Sequence, residues 1–161
     1  MEQSASTIAK IMHWVGRTPV QTFILFPLAV ITFELALHRG AISVAPWGAP
    51  LLIWGYLQYL LVGRYRLPLA GGSPGMDVPP ERIVSHGPYR FSRNPMYLGP
   101  LIFLLGIALS FRSWFAFIVL GARALWFHRR VLQDEERLEA IFGSDYASYR
   151  SRVKRWIPGV L

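Results

Sequence analysis

The sequence predicts an all-α integral membrane protein of about four transmembrane helices, with a C-terminal helical hairpin and cytoplasmic amphipathic helices. Three observations carry that expectation. Apolar residues make up 53% of the chain and charged residues only 16%, with a mean hydropathy of +0.33. A soluble domain usually carries about 25% charged residues, so these are too few to cover a globular surface. The net charge is nevertheless +8, and a chain both apolar and basic suggests membrane spans with basic flanks. A nucleic-acid binder would need its basic residues on an otherwise soluble fold, so nucleic acid is not expected as a partner. The third observation is a series of apolar runs near the length of a hydrocarbon core. There is no cysteine, which excludes disulfides, thiolate metal sites and cysteine nucleophiles; no metal site is expected.

The 161 residues suffice for one domain. It divides into 1–85, an interfacial segment with two spans and a loop, and 86–161, a hairpin with a C-terminal tail. In residues 1–18, Ile8, Ile11, Met12 and Val15 fall at helical spacing beside Lys10 and Arg17, which fits a short interfacial helix. The opening residues lack a basic stretch followed by a short apolar core, so the N-terminus is expected to be retained. Pro19 to Leu37 is long enough to cross roughly 30 Å of hydrocarbon. Pro27 interrupts it, and Glu34 lies near its far end, within a turn of His38 and Arg39. Glu34 reads either as an interfacial carboxylate or as a functional group facing the bundle interior.

Trp47 to Val62 is the second span, rich in Trp, Tyr and Leu as interface belts are. Arg64, Tyr65 and Arg66 close it, and Gly63 to Pro95 reads as a long polar connection. Pro79-Pro80 stops any helix there, and Ile83-Val84 returns towards the apolar region. Met96 to Ser110 and Trp114 to Phe127 are the third and fourth spans, a tight hairpin joined by Ser110-Phe-Arg-Ser113. The fourth helix continues outwards as the charged stretch 128–141. Gly143 is a natural stop, and 144–153 begins a short amphipathic helix ended by Pro158.

Orientation follows the basic residues. The first and third loops carry only Arg39 and Arg112, whereas the second loop holds Arg64, Arg66, Arg82, Arg90 and Arg93, and the tail is the most basic part. Both termini, the second loop and the tail are therefore expected in the cytoplasm, with any site between them facing the same way.

Two sets of polar groups converge there: His86, Tyr89, Arg90, Arg93, Asn94 and Tyr97, and then Glu135, Glu136, Tyr146, Tyr149, Arg150 and Arg152. Carboxylates and aromatic faces suit a cation. Arginines grip carboxylates or phosphates bidentately. S-adenosylmethionine, with its ammonium, sulfonium, carboxylate and aromatic base, would use all of them, and a phospholipid headgroup would use many. The plain alternative is that the arginines neutralise anionic membrane lipids and that 134–137 is a solvated helix face with an Arg130–Asp134 pair.

The run His86-Gly-Pro-Tyr-Arg-Phe-Ser-Arg-Asn-Pro-Met-Tyr-Leu-Gly99 resembles the hallmark of the isoprenylcysteine carboxyl methyltransferase and phospholipid methyltransferase superfamily of integral membrane methyltransferases. Such proteins show Gly-x-Tyr-x-x-x-Arg leading into Arg-His-Pro-x-Tyr. A Glu-Glu pair follows, here Glu135-Glu136, then Phe-Gly-x-x-Tyr-x-x-Tyr, here Phe142 to Tyr149, then Arg152-Val153 and Ile157-Pro158. The order and spacing agree across 86–158, while the N-terminal spans match only in kind.

The resemblance implies a transfer of methyl from S-adenosylmethionine to a lipophilic small molecule or a lipid-modified substrate. The acceptor would be an isoprenylcysteine-type carboxylate or a phospholipid amine, entering sideways between helices. His86, Gly87, Tyr89, Arg93, Asn94, Pro95 and Tyr97 would line the cofactor pocket. Glu135 or Glu136 would hold the cofactor's amino group, and Tyr146 and Tyr149 would close over it. Arg152, Glu136 and Tyr149 are the catalytic candidates. Arg152 would place an acceptor carboxylate, while an amine acceptor would give its proton to Glu135, Glu136 or His128. The family's usual His is Asn94 here, which hydrogen-bonds but does not titrate near neutral pH. Two alternatives stand beside this one: an NADPH-dependent membrane reductase of the sterol reductase type, and a non-enzymatic adaptor for anionic lipid.

Overall fold

A computed structural model describes residues 14–71 and 80–156, all helix, turn and loop with no strand among them. The predicted interfacial helix around Ile8, Ile11 and Met12, and the stops at Pro79 and Pro158, lie outside the described residues.

The first helix, α1, runs Thr18–Leu37 and is long and apolar enough to cross a membrane by length and composition. Pro27 does not break it. The proline falls at the start of the α-helical part Phe26–Leu37, where its missing N–H costs least, and the turn before it widens into a π-helical segment, Gln21–Leu25. Glu34 is buried, 3.2 Å from His38.

The second helix, α2, spans Ala49–Ala70 behind a 3₁₀ turn at Pro46–Gly48. It continues well past Val62, so the polar connection is shorter than the sequence suggested. Arg64, Tyr65 and Arg66 are helical, and Pro68, near the end, costs only one backbone bond. Gly71, at φ +68, turns the chain, and the Ala70 carbonyl accepts from both Glu81 N and Arg82 N at 2.8 and 3.1 Å. Arg66 is thereby held on a rigid element.

The third helix, α3, is Pro95–Phe111, apolar but shorter than a full span. Arg112 in the left-handed region makes the turn, and Ser113 caps the next helix, its Oγ accepting from Ala116 N at 3.1 Å. That helix, α4, runs Trp114–Arg152 with a kink at Gly143, whose φ of +52 and ψ of −124 separate the arm 144–152 from the main rod.

The helices α2 and α3 pack antiparallel and most closely. A Cβ on Gly55 would stand 2.5 Å from Phe103 N and 2.6 Å from the Gly99 carbonyl oxygen, so the two backbones meet with no side chain between them. Against this pair lies α1, with Phe23 on Tyr56, Tyr59 and Phe103 at 4.8–5.3 Å between ring centres and Phe33 stacked on Phe115 at 4.5 Å. These contacts bring the start of α1, the end of α2 and the start of α3 to one end of the bundle. Large apolar side chains such as Leu28, Ile53, Trp54, Leu61, Ile118 and Leu125 face outwards along the helices. Arg123 sits inside, its guanidinium 4.4 Å from the Trp126 ring centre and its Nη1 donating to Gln21 Oε1 at 3.2 Å.

Gly55→Ala should overpack the α2–α3 contact and destabilise the protein by roughly 1–3 kcal/mol. A clear drop in the thermal unfolding midpoint in detergent checks this; Gly121→Ala, where a Cβ meets nothing within 4 Å, should leave that midpoint close to wild type.

Candidate functional site

Phe127, Val131 and Glu135 recur every four residues along α4 and are all buried, because that spacing keeps them on one helix face. Phe127 and Val131 join Val62, Met96 and Tyr97 in a core cluster, with Tyr89 and Trp156 packed on it. Met96 and Tyr97 also line a cavity above that cluster. Its walls come from the end of α2 (Arg66), the loop 80–84, the segment 89–97, α4 at 134–138 and the kinked arm (Tyr146, Tyr149). The two halves of the motif, far apart in sequence, thus meet at one hollow.

Glu135 organises its inner wall. Arg155 grips it bidentately, Nε donating to Oε1 and Oε2 at 3.1 Å and Nη2 to Oε2 at 2.9 Å. Arg93 Nη1 lies 3.3 Å from Oε2, and Asn94 Nδ2 donates to Oε1 at 3.4 Å. Two of these stretches are also stitched through backbone groups: Arg93 N donates to the Lys154 carbonyl at 3.0 Å, Ser92 Oγ to the Arg155 carbonyl at 3.2 Å, and Asn94 Nδ2 to that carbonyl at 3.3 Å. The hydrogen bond to Glu135 holds the Arg155 guanidinium above its ordinary pKa.

Asp134, one residue earlier, faces the cavity. Its Oδ2 accepts from Tyr97 Oη at 2.8 Å, while Arg130 and Arg137 stand 4.0 and 3.9 Å away. The Arg130–Asp134 pair of the sequence exists, yet Asp134 is a wall residue and not simply part of a solvated face. Tyr149 Oη donates to the Tyr89 carbonyl at 2.7 Å, joining the kinked arm to the motif loop. Burial pushes the Tyr89 hydroxyl up to about 12 against the pull of Arg66. Burial, reinforced by Glu135 and opposed by Arg93, takes Tyr146 up to about 12. Tyr149 is raised as well, chiefly by burial. All three phenols stay protonated near neutral pH.

Of the sequence-predicted residues, Tyr89, Arg93, Asn94, Tyr97, Glu135, Tyr146 and Tyr149 line this cavity. Pro95 is buried behind it, its carbonyl accepting from Gln58 Nε2 at 3.1 Å. His86 and Gly87 are exposed and do not line it; Gly87 holds φ +57 against the Tyr65 ring. Glu136 points to solvent, and Arg152 is exposed with its Nε donating to the Ser148 carbonyl at 3.1 Å. Arg150 pairs with Glu139, and His128 Nδ1 accepts from Trp156 Nε1 at 3.3 Å. The sequence reading missed Arg66, Arg82, Asp134, Arg137 and Arg155 as site residues. For Asp134, two helical turns on from buried Phe127, that spacing was the available signal; for Arg155 there was none.

A family profile described as Phospholipid methyltransferase matches residues 47–145, taking in α2, the run 86–99 and the Glu135-Glu136 pair. The Protein-S-isoprenylcysteine O-methyltransferase of Schizosaccharomyces pombe is 33% identical over 113 residues, covering 63% of this chain and 48% of that protein. The solved structure of the eukaryotic intramembrane Ras methyltransferase ICMT (isoprenylcysteine carboxyl methyltransferase) has a similar fold. It aligns at a TM-score of 0.56 and 21% identity over 98% of this chain and 53% of that one. The chain thus spans about half the length of each.

Arg155→Met should cost roughly 3 kcal/mol by leaving Glu135 buried without its main partner, whereas exposed Arg152→Gln should stay within about 0.5 kcal/mol; chemical unfolding in detergent measures both. Raised tyrosine pKa values make the neutral phenol the folded form. Their stabilisation is therefore complete below the ordinary value of 10.0 and is lost as pH rises towards about 12. Unfolding followed by ellipticity should show a falling midpoint above pH 10, and Tyr89→Phe should flatten part of that fall.

Proposed function

The chain belongs to the phospholipid methyltransferase family, and on that premise we propose that it moves a methyl group from S-adenosylmethionine to a lipophilic acceptor at the cytoplasmic face of a membrane. The observation that carries the reading is the convergence of motif segments 89–97, 134–138 and 146–149 on one cavity. Its donor set fits the cofactor. Tyrosine faces and Asp134 suit the cationic end, and Arg93, with a side chain 8% exposed and an Nε without a hydrogen-bond partner, suits a carboxylate. When bound, S-adenosylmethionine supplies an electrophilic methyl on a cationic sulfur.

The protein's own contribution is alignment and charge placement. The neutral phenols of Tyr89, Tyr146 and Tyr149 wall the site without adding anionic charge. Asn94 cannot act as a base, and an acceptor that already carries its negative charge needs none. Arg66, Arg82 and Arg137 line the cavity and are the guanidiniums placed to hold such a group; Arg152 is exposed on the kinked arm. An isoprenylcysteine-type carboxylate matches both features, and the activity printed in the name of the Schizosaccharomyces pombe relative supports it. In this reading four helical spans anchor the chain, both termini are cytoplasmic, and the outward apolar side chains meet lipid, from which the acceptor enters.

Incubating the detergent-solubilised protein with methyl-labelled S-adenosylmethionine, farnesylated cysteine and phosphatidylethanolamine tests this. The expected product is a base-labile methyl ester on the cysteine. A base-stable N-methyl product would overturn the carboxylate acceptor, and no cofactor binding at all would overturn the methyltransferase reading.

A further inference from the structure

The cavity wall carries more cations than a monoanionic acceptor uses. We infer that the loop 80–84 forms a second anion subsite, in which Arg82, beside Arg66, holds a negative group of the acceptor other than the carboxylate that takes the methyl. The acceptor class is then an anionic amphiphile with two negative charges. This rests on the methyltransferase reading and deepens it.

Four guanidiniums line the wall, those of Arg66, Arg82, Arg93 and Arg137, and its acids are Asp134 and Glu135, both on α4. Two of the cations lie with those acids. Arg93 Nη1 is 3.3 Å from Glu135, and Arg137 Nη1 is 3.9 Å from Asp134. Arg82 is placed differently. Its side chain is exposed and makes no ion pair or hydrogen bond among the described residues. Its chain neighbour Glu81 has its carboxylate against Gly71 and is absent from the wall.

The backbone of Arg82 is nevertheless held. Its N–H donates to the Ala70 carbonyl at 3.1 Å, beside that of Glu81 at 2.8 Å, so the loop is tied to the end of α2. Arg66 lies one turn before Ala70 on that helix, close enough to pull against the raised pKa of the Tyr89 hydroxyl. Both guanidiniums are thereby anchored to one helix end, on a different wall from the α4 acids. Pro80, Ile83 and Val84 of the same loop also line the cavity. A cation set among apolar side chains acts in a lower local dielectric and fits a charged group carried on an apolar chain.

The charges count the same way. A bidentate grip occupies one guanidinium per carboxylate. With Arg93 suited to the cofactor's carboxylate, three guanidiniums remain for the acceptor. In the transfer the reacting carboxylate oxygen bonds the methyl, the electron pair of the broken carbon–sulfur bond stays on sulfur, and no proton moves. The second anion is not consumed, so its role is recognition.

Initial rates in neutral detergent with S-adenosylmethionine and three matched acceptors test the subsite. N-acetyl-, N-succinyl- and N-glycyl-S-farnesylcysteine share the reacting carboxylate and add, respectively, no charge, a negative charge and a positive charge. Wild type should show kcat/KM falling in the order succinyl, acetyl, glycyl, by roughly three- to fivefold per step and mainly through KM. The spread should shrink as salt is added. Arg82→Gln should bring succinyl and acetyl within about twofold of each other, and Arg82→Glu should place glycyl ahead of succinyl. Arg39→Asn, which removes a positive charge at the other end of the bundle, should keep the wild-type order. Equal kcat/KM for the three acceptors in wild type, or an order that both Arg82 variants leave unchanged, overturns the second subsite and leaves methyl transfer standing. Methylation of none of the three overturns the reading beneath it.

Discussion

The buried carboxylate of Glu135 is the interaction on which the rest of the site depends. Three stretches that share no local structure meet on it: the loop before α3 through Arg93 and Asn94, the outer part of α4 that carries it, and the C-terminal segment through Arg155. Two guanidiniums facing one carboxylate leave an excess of positive charge beside the cavity, in an environment where screening is weak. That excess suits an anionic ligand and disfavours a cationic acceptor. The cations at this tie are guanidiniums, and Asn94 adds a neutral donor to the same carboxylate.

Much of this was legible in the residues, and the limits of legibility have physical causes. The helical periods of α1, α3 and α4 are written in long apolar runs, and the turn at Ser110 to Ser113 and the kink at Gly143 lie where capping and glycine chemistry place them. The end of α2 is not legible in Arg64 and Arg66. They mark where the apolar stretch stops, and a helix continues past that level when its later side chains find other partners. Helical phase sets Glu135 and Glu136 in different surroundings. The buried line of Phe127 and Val131 runs on to Glu135, and the next residue turns outwards. Arg155 could not have been found this way, since its partner lies across the fold from a segment with no periodic pattern.

The chain spans about half the length of the relatives it matches. The family profile covers α2 through the kink, the elements that supply most of the cavity wall. The α1 helix lies outside that match. It packs on the outer sides of α2, α3 and α4 through aromatic rings and contributes nothing to the wall.

The backbone contact between α2 and α3 has a mechanical consequence. Where Gly55 meets Gly99, no layer of side chains lies between the helices, and such a joint neither slides nor compresses. Arg66 at one end of this pair, and Tyr97 at the adjoining end of the other, form a fixed jaw. Opposite them, Tyr146 and Tyr149 ride on an arm joined to α4 at a single glycine, around which a side chain would meet nothing. The cavity is thus bounded by a rigid joint on one side and, on the other, by an arm that turns off α4 at Gly143 and is tied back to the opposite wall through Tyr149 and the Tyr89 carbonyl.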